Sequence, residues 1–257
     1  MKNNFFFNSS IGNINSKPAN KSETLSQILY GEKFKILNKG KNWVKIKTNY
    51  DNYIGYIKKG NFNQNFKPTL KIKKIKTRIF IRKKNRFLST KSYLYFASGI
   101  SVLNEYKKLI EFEKNKWIKK SDIIKIDHFE KNYIKIIELF KNSKYLWGGK
   151  TSDGLDCSAL IQIYFYYNRI FFPRDTKDQI RYCKRKKVRN LRKGDIIFWK
   201  GHVGLCLSKS KFIHAYGPKK KVIVMPTEQT IELIHRTANL KVKKVRNLRK
   251  GDIIFWK

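Results

Sequence analysis

One thiol and two imidazoles define the chemistry this sequence is equipped for. Cys157 lies in Gly154-Leu155-Asp156-Cys157-Ser158-Ala159, His202 in Gly201-His202-Val203-Gly204 and His214 in Phe212-Ile213-His214-Ala215. A thiol needs a base to become a strong nucleophile, and the base needs a third group to orient its ring. His202 and His214 fall on consecutive predicted strands, which can set two imidazoles side by side. His202 would then draw the thiol proton while His214 holds its tautomer. The same residues admit a plainer reading: a lone cysteine is commonly a small core residue, and strand histidines can be core groups bonded to backbone. His128 and His235 sit in or beside polar helical segments. Cys183 and Cys206 match no motif and read as structural. Three cysteines with no C-x-x-C pair suggest neither disulfides nor zinc, and no metal or organic cofactor is implied.

The elements that must position these groups are legible around them. Cys157 to Asn168 carries no charge, and its apolar and aromatic residues fall on every face, the pattern of a helix buried all round. Asp156 and Ser158 stand at its start, where short polar side chains satisfy orphan amides. Cys157 is thereby placed near a helix N-terminus, where the backbone dipole favours a thiolate. Strands are predicted over Asp195 to Trp199, His202 to Leu207, Phe212 to Tyr216 and Lys221 to Met225. Short helices are predicted over Thr176 to Cys183 and Thr227 to His235, and an amphipathic one over Phe129 to Phe140. A helix-first arrangement followed by an antiparallel sheet is α+β, and 128–240 is read as one domain.

Upstream, residues 1–20 are polar and Asn/Ser-rich and read as an irregular lead-in. Residues 21–65 and 70–127 alternate short apolar runs with turns, which predicts two small all-β barrels. In the first, Gln27 to Leu37 runs into a turn at Asn38 to Asn42, Trp43 to Lys47 alternates, and Tyr53 to Ile57 closes the unit. In the second, strands are predicted at Arg78–Ile81, Tyr93–Phe96, Ile100–Leu103, Leu109–Phe112 and Trp117–Ile118. The endings Tyr56-Ile-Lys-Lys and Trp117-Ile-Lys-Lys echo one another.

The 257 residues carry a formal net charge of +41. Lysine is spread through nearly every segment, alongside abundant Asn, Ile, Phe and Tyr, as a compositional bias would leave it. The charge therefore speaks to solubility and attraction of anions rather than to a specific nucleic-acid partner. The apolar run near the start is three residues, against roughly 7–15 in a secretory signal. No run approaches the ~18 needed for a membrane span. A cytoplasmic, monomeric protein is expected.

Lys186 to Lys200 recurs letter for letter as Lys243 to Lys257 and stops before a second Gly-His pair. The repeat reads first as a recent in-frame duplication or an error in the sequence, and second as a strand that competes for the sheet. Exposed, it would be an aggregation liability.

Six short patterns now align. They are Tyr145-Leu-Trp-Gly-Gly149, Asp156-Cys157-Ser158, Phe172-Pro173-Arg174 with Gln179, Lys193-Gly-Asp-Ile-Ile-Phe198, His202-Val-Gly-Leu205 and Ile213-His214-Ala215. Over about 135–237 they resemble the NlpC-type cell-wall peptidases, which are papain-like cysteine peptidases. Both upstream units resemble bacterial SH3-like barrels, which a subgroup of that family carries. The resemblance implies Cys157 as nucleophile, His202 as base and His214 as orienting residue. It implies Tyr145 as an oxyanion donor together with the Cys157 amide. Asp156 and Ser158 would line the substrate site, with Asp156 suited to a substrate ammonium. Glu23 and Tyr53 on the first barrel are further substrate-binding candidates. Ala159 departs from the glycine usual in the family, a change expected to narrow access at most.

What the resemblance implies is a γ-D-glutamyl–diamino acid endopeptidase acting on peptidoglycan stem peptides with a free N-terminal L-Ala. Two alternatives stand beside it: another thiol amidase or acyltransferase using the same residues, or a decayed wall-binding or nucleic-acid-binding protein.

Overall fold

The computed structural model describes residues 4–60, 62–183, 191–239 and 241–247. The chain divides into two compact units. One is Met1–Glu130 with Gly148–Ser152 and Tyr166–Ile170; the other is Lys131–Trp147 with Asp153–Phe165 and Phe171–Lys257.

The first unit opens with six antiparallel strands, Asn4–Phe6, Ile11–Asn15, Thr24–Leu29, Lys33–Lys39, Trp43–Thr48 and Ile54–Lys58. In Trp43–Thr48 every second residue is buried, so Val44 and Ile46 join Ile14, Ile28, Phe34 and Ile57 in one core. The expected irregular lead-in is therefore corrected. Asn4–Phe6 pairs with Lys33–Lys39, and Ile11–Asn15 pairs with two further strands. The Asn/Ser composition masked a sparse apolar alternation in which Phe7 and Ile14 are buried. Asn15 is buried as well and donates its side-chain amide to the Ala19 carbonyl at 3.1 Å. The run Gln27 to Leu37 is not one strand but two, broken at Gly31, whose φ is +75°. A Cβ there would lie 2.0 Å from the Gly99 carbonyl oxygen, so both the turn and the close approach require glycine.

The same unit continues with a five-stranded sheet (Lys76–Lys83, Arg86–Tyr95, Asn104–Tyr106, Leu109–Glu113, Lys116–Lys119). A three-stranded one follows (Leu70–Ile72, Gly99–Ile100, Ile123–Lys125). Ile72, Ile79, Leu94, Ile110, Phe112 and Ile118 form its core. Arg86–Tyr95 is a ten-residue strand of which the sequence showed only the apolar end. Segments 148–152 and 166–170 belong here although the sequence suggested otherwise, and two buried lysines hold them. Lys71 donates to the His128 and Tyr167 carbonyls, both at 2.6 Å, and lies 4.0 Å from the Tyr167 ring centre; burial lowers its pKa to about 8. Lys150 pairs with both carboxylate oxygens of buried Glu32 at 3.2 Å, and Tyr166 donates its hydroxyl to the same carboxylate.

The second unit places the helices Tyr133–Glu138, Cys157–Tyr167, Thr176–Tyr182 and Thr227–Ala238 around an antiparallel sheet. Its strand order is Lys221–Pro226, Lys211–Tyr216, His202–Cys206, Asp195–Trp199, Lys244–Asn247. Every residue of Asp195–Trp199 is buried, as a strand covered on both faces requires. The first helix is shorter than Phe129 to Phe140 because Asn132 caps it late, accepting the Lys135 amide. The head of the repeated segment, Lys244–Asn247, adds to the sheet edge against Asp195–Phe198, and Val245 is buried there. Residues 186–190 of the first copy and 248–257 of the second lie outside the described residues. Among the described residues no helix is long and apolar enough to cross a membrane.

Candidate active site

The buried helix starts as its sequence implies. Asp156 Oδ1 accepts the Ala159 amide at 2.8 Å, which makes Asp156 the cap and Cys157 the first helical residue. The first turn is held from outside by two residues that sequence reasoning quoted in a motif but assigned no role. Arg174 reaches Asp156 with both prongs of its guanidinium, 2.9 Å to Oδ1 and 2.7 Å to Oδ2, and donates to Ser158 Oγ at 2.8 Å. Gln179 donates its side-chain amide to the carbonyls of Ser158 and Pro173, both at 2.9 Å. The signal for Arg174 was an arginine after Phe-Pro, a few residues beyond a helix with no charge of its own.

Asp156 has a structural part as well. Its carboxylate is buried, capping, and paired in fork geometry with Arg174. Asp156 thereby anchors the turn. Ser158 is likewise committed, donating to Asp156 while accepting from Arg174. The part of both in substrate binding rests on the sequence resemblance.

Cys157 is 4% exposed. Its Sγ lies 3.9 Å from the Gly201 carbonyl oxygen, accepts a hydrogen bond from the Val203 amide, and takes a second from the Thr176 side chain. The thiol is thus lodged against the backbone on either side of His202. The helix start does not make it a ready thiolate. Burial, and then the Asp156 carboxylate, push its pKa up to about 11, more than the donors from Val203 and Thr176 recover.

The two histidines meet directly. His202 Nε2 and His214 Nδ1 are 2.9 Å apart, with the rings inclined by 65°. Gly204 makes this possible: a Cβ there would stand 2.9 Å from His214 Cβ and 2.4 Å from the Phe212 ring. His214 is fully buried and stacks on Tyr216 at 4.7 Å between ring centres. Burial lowers His202 to about 4; burial and the neighbouring His202 lower His214 to about 3. Both rings are neutral near pH 7. With Nε2 of His202 engaged by His214, Nδ1 remains to receive a proton.

Tyr145 is fixed beside the short strand Gly154–Leu155 that leads into the Cys157 helix. It bridges to Leu155, two residues before Cys157, and its amide donates to the Lys220 carbonyl at 2.9 Å. Burial and then the charges of Cys157 and Asp156 raise its phenol well above the usual value, so it stays a protonated donor. Glu23 and Tyr53 lie on the first barrel, in the other unit. The Glu23 carbonyl accepts the Ser16 amide, and Tyr53 packs on the barrel core. Their role in substrate binding rests on the sequence resemblance alone. Cys206 is buried and raised to about 12, and no cluster of metal-ligating side chains occurs among the described residues.

A buried thiol, a neutral histidine pair and a phenol around one helix start define a class, and comparison with known proteins gives it a name. The profile of the NlpC/P60 family matches residues 142–235, and that of the bacterial SH3 domain matches residues 11–63. The matched segments are an NlpC/P60 domain and a bacterial SH3 domain, the latter coinciding with the first barrel. A gamma-D-glutamyl-L-lysine dipeptidyl-peptidase of Bacillus subtilis (strain 168) is 26% identical over 234 residues, 80% of this chain and 77% of the relative. Dipeptidyl-peptidase 6 of Lysinibacillus sphaericus is 24% identical, over 80% of this chain and 84% of its own. The crystal structure of an NlpC/P60 family protein from Bacillus cereus ATCC 10987 superposes with a TM-score of 0.77. It covers 95% of this chain and 99% of that one at 19% identity, which establishes the shared α+β fold.

Proposed function

We propose that this chain is a cysteine peptidase of peptidoglycan stem peptides, cutting the bond between γ-D-glutamate and the diamino acid in peptides with a free N-terminal L-Ala. The observation that carries the catalytic part is the 2.9 Å contact between His202 Nε2 and His214 Nδ1, with the Cys157 thiol seated against Gly201 and Val203. Support for the substrate comes from the relatives matched over 80% of the chain, one a gamma-D-glutamyl-L-lysine dipeptidyl-peptidase and the other a dipeptidyl-peptidase.

The steps follow from the ground state. Thiol and imidazole are both neutral, so His202 Nδ1 takes the thiol proton as Sγ attacks the γ-glutamyl carbonyl. The Tyr145 hydroxyl and the Cys157 amide donate to the oxyanion that forms. The proton then passes from His202 to the departing amine, the C–N bond breaks, and a thioester remains. Water, deprotonated by the now neutral His202, hydrolyses it and regenerates the thiol. His214 accepts from His202 Nε2–H throughout and keeps Nδ1 as the basic nitrogen.

The reading is tested with L-Ala-γ-D-Glu-diaminopimelate and its N-acetylated form. Release of L-Ala-D-Glu from the free peptide, with little from the acetylated one, is expected. No release from either by the folded protein overturns the peptidase, and equal release overturns the free-amine requirement.

A further inference from the structure

The second barrel carries a pocket for which the catalytic steps have no use. In its five-stranded sheet Glu111 stands opposite Trp117, while Ile110 stands opposite Ile118 and both of those enter the core. Alternation puts Trp117 on the face away from that core. An indole on an outer face is ordinarily wet, yet Trp117 is 5% exposed. Phe87 meets it edge-on at 5.2 Å, and Tyr106 packs on Phe87 at 5.5 Å. The Arg82 guanidinium lies over the Tyr106 ring at 4.8 Å and the Phe87 ring at 5.7 Å. Beside this cluster opens a cavity of about 480 Å³, within the range of small-molecule sites.

The chemistry of its walls is two-signed. Arg82 and Lys84 line it, and neither has an anionic partner among the described residues. A guanidinium stacked on aromatic rings is partly dehydrated and keeps its planar fork of N–H donors, the geometry that takes a carboxylate bidentately. The Trp117 indole N–H is buried and without a partner among the described residues, a state that ordinarily signals an acceptor to come. Glu105 and Glu111 supply the opposite sign. Glu105 pairs with Lys120; Glu111 accepts from the Asn104 side chain and the Asn115 amide. Each carboxylate retains lone pairs for another donor. Two acids beside two bases disfavour a polyanion such as phosphate or nucleic acid and favour a ligand that carries both charges.

We propose that this pocket binds a short zwitterionic peptide, its free carboxylate on Arg82 and Lys84 and its ammonium toward Glu105 and Glu111. The site is independent of the thiol and of the reaction assigned to it.

The test uses the full chain with Cys157→Ala, which prevents turnover, and follows tryptophan fluorescence on titration with L-alanyl-L-alanine, its N-acetyl form, its C-terminal amide and sodium acetate. Saturable binding of the free dipeptide is expected below about 1 mM, weakened about tenfold by either blocking group and about tenfold by Arg82→Gln. Tyr106→Ser, at a residue 37% exposed, carries the same expectation and guards against misfolding of the arginine variant. Absence of saturation overturns the proposal, as does binding indifferent to both substitutions. Acetate competing as well as the dipeptide overturns it too, leaving a bare anion site.

Discussion

Arg174 holds Asp156 by two parallel hydrogen bonds of 2.9 and 2.7 Å, and through it fixes the turn on which Cys157 stands. The pair is buried, with side chains 1% and 7% exposed, so solvent does little to screen it. Removing one partner strands the other charge. Arg174→Ala is therefore expected to lose about 3–5 kcal/mol of unfolding free energy. Arg174→Lys keeps the charge but not the fork and should lose less stability while still lowering kcat. Denaturant titration and steady-state kinetics on both variants check this; an Arg174→Ala protein as stable as the wild type contradicts it.

His214 touches His202 rather than the thiol, so its replacement should act through the base. His214→Ala is expected to cut kcat by roughly 10²–10⁴-fold, near the loss from His202→Ala, and the double variant should be little worse than either. Measured losses that multiply would show two independent contributions and contradict the coupling.

The pH dependence follows from burial. His202 has a folded pKa of about 4 against an ordinary 6.5, so it remains a base well into the acid range. The acid limb of kcat/KM is expected near pH 4, and a midpoint near 6.5 would contradict the desolvated site. Stability carries the complementary sign. Between 6.5 and 4 the unfolded chain binds a proton at His202 that the folded chain refuses, and His214 extends the window to about 3. Stability from these groups is whole above 6.5 and falls as pH drops, by at most roughly 3 kcal/mol for His202 and roughly 5 kcal/mol for His214. A His214→Asn variant should show a shallower loss of melting temperature from pH 7 to 4 than the wild type.

Within the first unit, Lys150 and Glu32 form a buried pair with side chains 2% and 3% exposed. Desolvation already raises the Glu32 pKa against the pull of Lys150. Lys150→Met alone is expected to destabilise by about 3–5 kcal/mol, whereas Lys150→Met with Glu32→Leu should recover most of that loss. Thermal unfolding of the three proteins decides, and an undiminished loss in the double variant contradicts it.

The legible part of this molecule was the part written in local pattern. A charge-free run from Cys157 gave the buried helix, and short apolar runs gave the strands bearing His202 and His214. What escaped depends on partners distant in sequence. Arg174 and Asp156 are 18 residues apart and follow no periodic rule. The strands before residue 16 exist because later strands pair with them, against their polar composition. The thiol's protonation was misjudged for a related reason. A dipole can be inferred from a helix start, but the burial that outweighs it comes from Gly201, Val203 and Thr176 closing around the sulfur.

The central claim is that Cys157, and no other thiol, carries the acyl group. It is tested most directly by acid-quenching the enzyme during turnover of L-Ala-γ-D-Glu-diaminopimelate and mapping the adduct by mass spectrometry. The account predicts an L-Ala-γ-D-glutamyl thioester on the peptide containing Cys157, absent in Cys157→Ala. An adduct on Cys183 or Cys206, or continued peptide cleavage by Cys157→Ala, would contradict it.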